Sequence, residues 1–326
     1  MKEQLILQVN NITKIYKDGT RANDGISFAV NGGEVIGLLG HNGSGKTTLL
    51  NQIIGLSRPT QGSIYLGGND AVADPDMARS FCSFQPQTQA PIDGITPRQA
   101  IEMMARIRGA SRRRARHRAD ELLKALDIEA WANQRGDRLS GGVKRLTAFC
   151  MTAAEPGRVM MFDEPTNDVD PVRRRLLWEQ IRALGDTGCA VLLVTHNVVE
   201  AERAVERLII LDKGRAITQG TPAQLRDNHS RDLRLELVTV DANAAQALVS
   251  QVGGQISGRR VRSTINAADV ASAIAWAQRQ QEAGQIEEFS LAPISLEDIY
   301  IQLVGANDHV PSSRSTKGFT DETLVS

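Results

Sequence analysis

The chain has 326 residues, enough for two domains of ordinary size. Its composition, 41% hydrophobic and 23% charged, is that of a globular protein and excludes collagen-like, low-complexity and wholly disordered chains. Lysine plus arginine and aspartate plus glutamate both number 38, so the formal charge is zero and no overall basic field attracts nucleic acid. Only 4% of the residues are aromatic, which leaves little for stacking on single-stranded bases.

The cysteines and the apolar runs bear on the compartment. Cys82, Cys150 and Cys189 form an odd, widely spaced set without a CxxC pair, which argues against a disulfide framework or a structural zinc and favours buried thiols. The longest apolar runs, 189–194 and 208–211, are far shorter than the roughly 20 residues that span a bilayer. Since the amino end carries no signal-like apolar segment, we expect a soluble cytosolic protein.

The amino-terminal half begins with strands. Short apolar runs, interrupted by glycine and asparagine, over residues 5–16 and 26–39 predict strands and turns. From Thr47 the pattern predicts a helix. Residues 97–131 read as a long helical stretch, and seven of the thirteen residues in 106–118 are arginine. Such a run suits anionic lipid or nucleic acid, but the acidic residues that follow at once favour a solvated helix face.

The second half of the chain contains two kinds of pattern. Apolar runs at 159–162 and 191–194, each followed by a helical stretch, predict buried strands of a mostly parallel sheet. Beyond residue 220 the pattern predicts a small α+β unit with helices on one face of its sheet. Its predicted elements are a strand at 233–240, helices at 242–252 and 267–283, and strands near 260–266 and 286–291. The last stretch, 306–326, is rich in serine, threonine and charge and predicts a loose tail.

A glycine-rich motif of the form G-x-x-x-x-G-K-[ST] follows the predicted strand 35–39 and opens a predicted helix. Its members are Gly40, His41, Asn42, Gly43, Ser44, Gly45, Lys46 and Thr47. The glycines let the loop curl so that backbone N–H groups point inward, and the helix adds its positive end. In this context Lys46 neutralises the β and γ phosphates and the hydroxyl of Thr47 offers an oxygen to magnesium. The motif therefore predicts a nucleoside triphosphate site.

An acidic pair ends the predicted strand at 159–162. Asp163 and Glu164 would lie at the carboxyl edge of the sheet, where ligands bind in open α/β folds. Asp163 is the expected second anchor for magnesium, and Glu164 is placed to orient or deprotonate a water in line with the γ phosphate. We expect loss of Lys46 to abolish binding or activity, and loss of Glu164 to spare binding but stop turnover.

A second helix start suited to anions lies between these motifs. Ser140, Gly141 and Gly142 precede a predicted helix, so Ser140 reads either as an N-cap or as a donor to a phosphate. A chain with one complete phosphate loop needs no second one in the same site. These residues by themselves therefore do not show which phosphate, if any, the segment 139–142 would bind.

The order of these motifs, with Asp170 and His196 beyond them, resembles the ATP-binding cassette (ABC) ATPases over roughly residues 3–220. The resemblance implies an α/β P-loop NTPase fold with a mixed central sheet, in a domain at 1–220 whose helical subdomain covers about 97–150. A small α+β accessory domain would follow at 221–305. Two cassettes of this family pair head to tail, so each ATP lies between the phosphate loop of one and the signature serine and glycines of the other. ATP and Mg²⁺ are the implied cofactors.

The resemblance also implies roles for single residues. Tyr16 is similar to the aromatic residue that stacks on adenine, and Thr48 lies among the nucleotide-binding residues at the helix start. Asp170 matches the loop that crosses the dimer interface. His196, after the predicted strand at 191–194, matches the switch histidine that contacts the γ phosphate and takes part in hydrolysis with Glu164 and Lys46.

The lid glutamine has two candidates in this sequence. Gln87 lies nine residues before Thr96, as the family spacing requires, and is implied to touch magnesium and the attacking water; Gln85 is its rival. Two positions depart from the family pattern. Val143 replaces a commoner glutamine after the signature glycines, and Asp168 stands where glycine is usual, which puts the turn geometry of the interface loop in question.

The carboxyl-terminal segment bears on the direction of transport. Residues 289–300 are similar to the accessory domain of multidrug-type ATPases of the ABC-2 exporter class, with a generic dimerising appendage as the alternative. The resemblance implies an ATPase that energises an exporter from the cytoplasmic face of the membrane. Its partners would be a separately encoded permease and a second cassette, as a homodimer, with no nucleic acid. An importer subunit is the alternative. A chromosome-type protein is disfavoured because Ser140 follows Lys46 by only 94 positions, too few for a long coiled coil.

Overall fold

The structure, a computed structural model, describes residues 4–195, 202, 204–227 and 232–305, except for the side chains of 302–305. The chain divides into two compact units, Met1–Thr221 and Pro222–Ser326. Within the described ranges, no helix combines the length and the apolar character that a membrane span requires.

The first unit is built on strands interleaved with helices. In chain order its described elements are β1 (Leu5–Ile15), β2 (Arg21–Asn31), β3 (Val35–Leu39), α1 (Lys46–Ile53), β4 (Gln61–Leu66), β5 (Asn69–Asp70), α2 (Pro75–Phe81), β6 (Cys82–Gln85), α3 (Pro97–Ile107), α4 (Arg112–Ala125), α5 (Gly141–Ala153), β7 (Val159–Asp163), α6 (Pro171–Asp186), β8 (Ala190–Val194), β9 (Arg207–Asp212) and β10 (Arg215–Gly220).

The central sheet is mixed. Its described strands lie in the order β10-β9-β3-β8-β7-β6, and only the β9–β10 pairing is antiparallel. Every residue of β3, β7 and β8 is buried, as continuous apolar runs require when both faces of a sheet are covered. Because β3, β7, β8 and β9 are parallel, their carboxyl ends meet at one edge. That edge carries Gly40, Asp163, Glu164, Thr195 and Asp212.

A second, antiparallel sheet in the order β2-β1-β4-β5 belongs to the same unit. One hydrophobic core joins this sheet, the central sheet and α1. It contains Ile12 and Ile26 from the antiparallel sheet, Leu49 from α1, and Met161 and Leu192 from the central sheet, all fully buried. Helix α1 is therefore anchored by apolar burial, and it carries the phosphate loop at its amino end.

The arginine-rich stretch at 97–131 is not one long helix. Thr96 caps α3 with a complete capping box, and the helix ends before Gly109, whose φ of 98° is a left-handed conformation that glycine tolerates. Ser111 then caps α4. The arginines of α4 are partly paired, for example Arg114 with Glu155 at 2.7 Å. Helices α3, α4 and α5 form the helical part of the unit.

The second unit is a small α+β structure. Its described elements are α7 (Pro222–Asp227), β11 (Asp232–Thr239), α8 (Ala242–Val252), β12 (Gln255–Ser257), β13 (Arg260–Asn266), α9 (Val270–Glu282), β14 (Ile286–Pro293) and α10 (Leu296–Gly305). The antiparallel sheet has the order β12-β13-β11-β14, the split βαβ arrangement. Leu237, Leu248, Val261 and Trp276 form its core between the sheet and the helices. The short β12 was not expected from the sequence.

Candidate nucleotide site

The phosphate loop connects β3 to α1 as expected. Gly43 and Gly45 have φ angles of 85° and 98°, so both occupy the left-handed region that disfavours a side chain. A Cβ atom added at Gly45 would lie 2.1 Å from the carbonyl oxygen of Ala22 on β2. The turn of the loop thus depends on glycine for its backbone angles and, at Gly45, for close packing as well.

The ammonium group of Lys46 lies inside the loop. Its Nζ donates hydrogen bonds to the carbonyl oxygens of Gly40, at 2.7 Å, and His41, at 2.9 Å, and the residue is 8% exposed. Burial lowers the pKa of Lys46, while the charges of Glu164 and Asp163 oppose that shift. A third hydrogen bond, of 3.4 Å, goes to the hydroxyl of Ser44. A cation held by such neutral oxygens is ready to exchange them for phosphate oxygens.

Two of the three expected magnesium ligands, Thr47 and Asp163, lie together. Oγ1 of Thr47 donates a hydrogen bond of 2.9 Å to Oδ2 of Asp163, which is 2% exposed. Burial raises the pKa of Asp163, and the hydrogen bond from Thr47 is the largest effect that lowers it. An exposed hydroxyl paired with a buried carboxylate next to a phosphate loop offers the hard oxygen ligands that Mg²⁺ prefers, and this ion usually takes few of its ligands from protein.

Glu164 follows Asp163 with an unusual backbone. Its φ is 53°, in the left-handed region, although it is not glycine, and it is 5% exposed. Its N–H donates to the carbonyl oxygen of Val194 on β8, at 2.9 Å, which extends the strand pairing by one residue. Strained backbone of this kind is maintained by the surrounding structure and is concentrated at functional sites.

Tyr16 lies at the end of β1, next to the start of α1. Its hydroxyl is 3.4 Å from Oγ1 of Thr48, and the ammonium of Lys14 lies 5.3 Å from the centre of its ring. The ring is 43% exposed. An exposed aromatic ring beside the phosphate loop provides a surface on which a planar base can stack.

The segment 139–142 packs against the loop that precedes α6. Ser140 is exposed and caps α5 by accepting a hydrogen bond from the N–H of Val143, at 3.4 Å, so its N-cap function is confirmed. A Cβ atom on Gly142 would lie 2.5 Å from the carbonyl oxygen of Asp168. Asp168 adopts a φ of 64°, so it takes a left-handed conformation of the kind that a glycine adopts easily.

Asp170 has a clear structural function. It caps α6 by accepting hydrogen bonds from the N–H groups of Val172 and Arg173, both at 3.1 Å. The hydrogen bond from the backbone of Arg173 is the main cause that lowers the pKa of Asp170, and the guanidinium of Arg173 adds to it. Asp170 therefore fixes the start of the helix that follows the interface loop.

The two glutamine candidates differ in exposure. Gln85 ends β6, is fully buried and donates from Nε2 to the carbonyl oxygen of Arg145, at 3.4 Å. Gln87 lies two residues beyond the strand and is exposed. His196 and the segment 306–326 lie outside the described residues.

Sequence patterns did not indicate the residues that brace the loop. Asn23 on β2 is fully buried and donates from Nδ2 to the carbonyl oxygen of Gly45, at 3.1 Å. Gln52 on α1 donates in turn to Oδ1 of Asn23, at 2.6 Å. The polar type of these residues at positions facing the core was the only available signal. Apart from the loop, Phe149 of α5 stacks on Phe162 of β7, with ring centres 5.1 Å apart.

The fold and the loop define a P-loop nucleotide-binding protein of the cassette type. A family model described as ABC transporter matches residues 23–167. The daunorubicin/doxorubicin resistance ATP-binding protein DrrA of Streptomyces peucetius is 32% identical over 98% of this chain and 97% of its own length. The Nod factor export ATP-binding protein I of Ralstonia nicotianae is 30% identical over 92% of this chain and 94% of its own length. The chain thus belongs to the ATP-binding proteins of the ABC transporter family, and it is an ATPase.

Solved structures agree with this assignment. An ATP-binding subunit of an ABC transporter matches with a TM-score of 0.64 at 26% identity, covering 68% of this chain and 92% of that one. A dimeric ATP-binding cassette in a post-hydrolysis state, bound to ADP and Pi, matches with a TM-score of 0.61 at 27% identity, covering 66% of this chain and 98% of that one. The expected family and fold class are confirmed.

Proposed function

We propose that this chain hydrolyses ATP to energise an export-type ABC transporter through a separately encoded permease. The hydrogen bond between Thr47 and Asp163 carries the proposal, because it joins two of the three expected magnesium ligands beside the phosphate loop. The relatives named for drug resistance and for Nod factor export support an exporter. The site would lie on the cytoplasmic face of the membrane, where the permease presents its coupling surface.

Each group of the site has a definite task in this reaction. The N–H groups of the loop and the ammonium of Lys46 bind the β and γ phosphates and neutralise their charge. Thr47, Asp163 and Gln87 would hold Mg²⁺, which supplies charge stabilisation to the phosphates when it is bound. Glu164 orients the attacking water and accepts its proton, assisted by His196, and Tyr16 stacks on the adenine.

The second half of the site would come from another copy of the chain. Ser140 is exposed at the amino end of α5, where unpaired helix N–H groups favour an anion. Ser140, Gly141 and Gly142 would bind the γ phosphate held by the phosphate loop of the second copy, and Asp170 would lie at the dimer interface. Closure of the pair on ATP and its reopening after hydrolysis would then move the permease.

Substitution of the proposed base tests the proposal. Glu164→Gln keeps the size of the side chain but cannot accept a proton, so hydrolysis should fall by about 10²-fold or more while ATP binding persists. With ATP and Mg²⁺ the variant should elute from a sizing column as a dimer. Lys46→Ala is the matched control, because it should lose ATP binding and remain a monomer. A Glu164→Gln variant that hydrolyses ATP at the normal rate would refute the assignment.

Copurification tests the transport partner. The chain should retain a membrane permease when the two are expressed together and extracted in mild detergent. A solute-binding protein in the same complex would point to import and contradict the exporter.

A further inference from the structure

The turn between β9 and β10 lies against the phosphate loop. Lys213 and Gly214 form this two-residue turn with φ angles of 46° and 80°, both positive, as in the tight hairpin turns that match strand twist. The N–H of Gly214 donates to the carbonyl oxygen of Ser44, at 3.2 Å. The turn thus holds the middle of the loop through the backbone.

A side-chain contact joins the same hairpin to the start of the loop. Nε2 of His41 lies 2.9 Å from Oδ1 of Asp212, the last residue of β9. Nδ1 of His41 lies 2.6 Å from the carbonyl oxygen of Asn42. Each ring nitrogen faces an acceptor, and only the doubly protonated ring can donate to both.

Asp212 is a buried carboxylate close to the place where phosphates bind. It is 3% exposed, whereas the side chain of His41 is 43% exposed. A buried carboxylate beside an anionic ligand repels that ligand unless a cation offsets its charge. When both of its ring nitrogens carry a proton, His41 supplies such a cation between the strand end and the loop.

The binding of phosphates would change the hydrogen bonds that fix His41. Without phosphates, the carbonyl oxygen of His41 accepts a hydrogen bond from Lys46. Once Lys46 turns to the phosphates, that bond is lost. The N–H of Ser44, which donates to the carbonyl oxygen of His41 at 3.1 Å, and the side-chain contact with Asp212 then hold the residue. The side chain of His41, through Nδ1 and the carbonyl oxygen of Asn42, is thus one of the contacts that orient the first turn of the loop.

We propose that Asp212 is a positioning residue for nucleotide binding, which acts through His41. Its carboxylate holds the imidazolium, which keeps the first turn of the phosphate loop in place and shields the nucleotide from the charge of Asp212. This inference rests on the proposed function, since it takes nucleotide phosphates to be the ligand of the loop.

A double-mutant cycle on the full-length chain tests the inference with ATP and Mg²⁺. His41→Ala should raise KM for ATP about tenfold, because it removes a charge-assisted hydrogen bond and leaves the carboxylate near the phosphates. Asp212→Asn, of almost the same shape, should raise KM only about threefold. The double variant should resemble Asp212→Asn, so the second substitution partly rescues the first. The losses should fall mainly on KM rather than on kcat, since neither side chain reaches the reacting atoms.

His117 supplies a matched control. Its Nε2 lies 3.2 Å from Oε1 of Glu121 on α4, so it is also a histidine paired with a carboxylate, and His117→Ala should leave KM unchanged. Additive losses in the double variant, or a His41→Ala variant with normal KM, would overturn the inference. If Asp212→Asn and His41→Ala bind ATP normally while Lys46→Ala does not, only this inference fails. If the wild-type chain binds no ATP, the proposed function itself fails.

Discussion

At the scale of single residues, positive φ angles mark the edge of the sheet that carries the site. Glu164 and Asp168 are not glycines, yet both adopt left-handed backbone conformations, which cost an ordinary residue about 1–2 kcal/mol. The turn geometry expected of a glycine at position 168 is kept, because Asp168 itself adopts the left-handed conformation. Short polar side chains tolerate this region better than others do.

The cysteines confirm the expectation of buried thiols. Cys82, Cys150 and Cys189 are free and buried, and burial raises the pKa of Cys82 and of Cys150 to about 12. Because only the thiolate reacts, Cys82 and Cys150 should resist alkylation by iodoacetamide at about pH 8 in the folded chain and react after unfolding in urea. Mass spectrometry of the digested chain would measure the labelling.

Ser250→Cys gives the positive control for that labelling experiment. Ser250 is exposed on α8, so a cysteine placed there should react quickly in the folded chain. Rapid alkylation of Cys150 without denaturant would contradict the burial of α5 against β7.

At the scale of elements, the phosphate loop is shaped by its neighbours as much as by its own glycines. Asn23 of β2 and Gln52 of α1 form a buried chain of hydrogen bonds that ends on the carbonyl oxygen of Gly45. The loop is therefore held from β2, from α1 and from the β9–β10 turn. A loop fixed from three directions presents its N–H groups to phosphates without further ordering.

Two glycines of the loop should respond differently to alanine. Gly45→Ala places a Cβ atom 2.1 Å from a β2 carbonyl oxygen, so the loop must shift and ATP binding should be lost. Gly43 has a similar φ but open space around it, so Gly43→Ala should cost only the backbone strain, about 1–2 kcal/mol, and weaken binding partially. Calorimetric titration with ATP measures both variants, and equal losses would mean that packing against β2 does not matter.

At the scale of the whole molecule, each compact unit has a hydrophobic core of its own. The core of the first unit joins two sheets through α1, and that of the second lies between β11, β13 and the helices α8 and α9. Both units are of the size that ordinary domains have. Separate cores predict separate folding.

Removal of the second unit tests this division. A chain that ends at Thr221 should fold cooperatively and bind ATP with an affinity within about threefold of the full chain, because the described site residues all lie in the first unit. Thermal melting and ATP titration of the two chains provide the comparison. An aggregated truncated chain that binds no ATP would show that the units depend on each other.

The sequence by itself determined the local features of this protein. Neighbouring residues are enough to predict the loop from Gly40 to Thr47, the acidic pair at the end of β7 and the cap at Ser140. The chemistry of these features depends on backbone turns and helix ends that short segments specify. Buried strands were visible as continuous apolar runs. The break between α3 and α4 was missed, although Gly109 and Ser111 were local signals for it.

Only the tertiary structure decided which distant side chains meet. Asn23 reaches Gly45, Asp212 reaches His41, and Gly142 packs on the backbone of Asp168, all through the order of strands in the sheet and the packing of helices on it. Such contacts have no periodicity and no fixed spacing along the chain. The contact between Asp212 and His41 arises because the parallel strands β9 and β3 bring their carboxyl ends to one edge, and the other two arise from packing between separate elements.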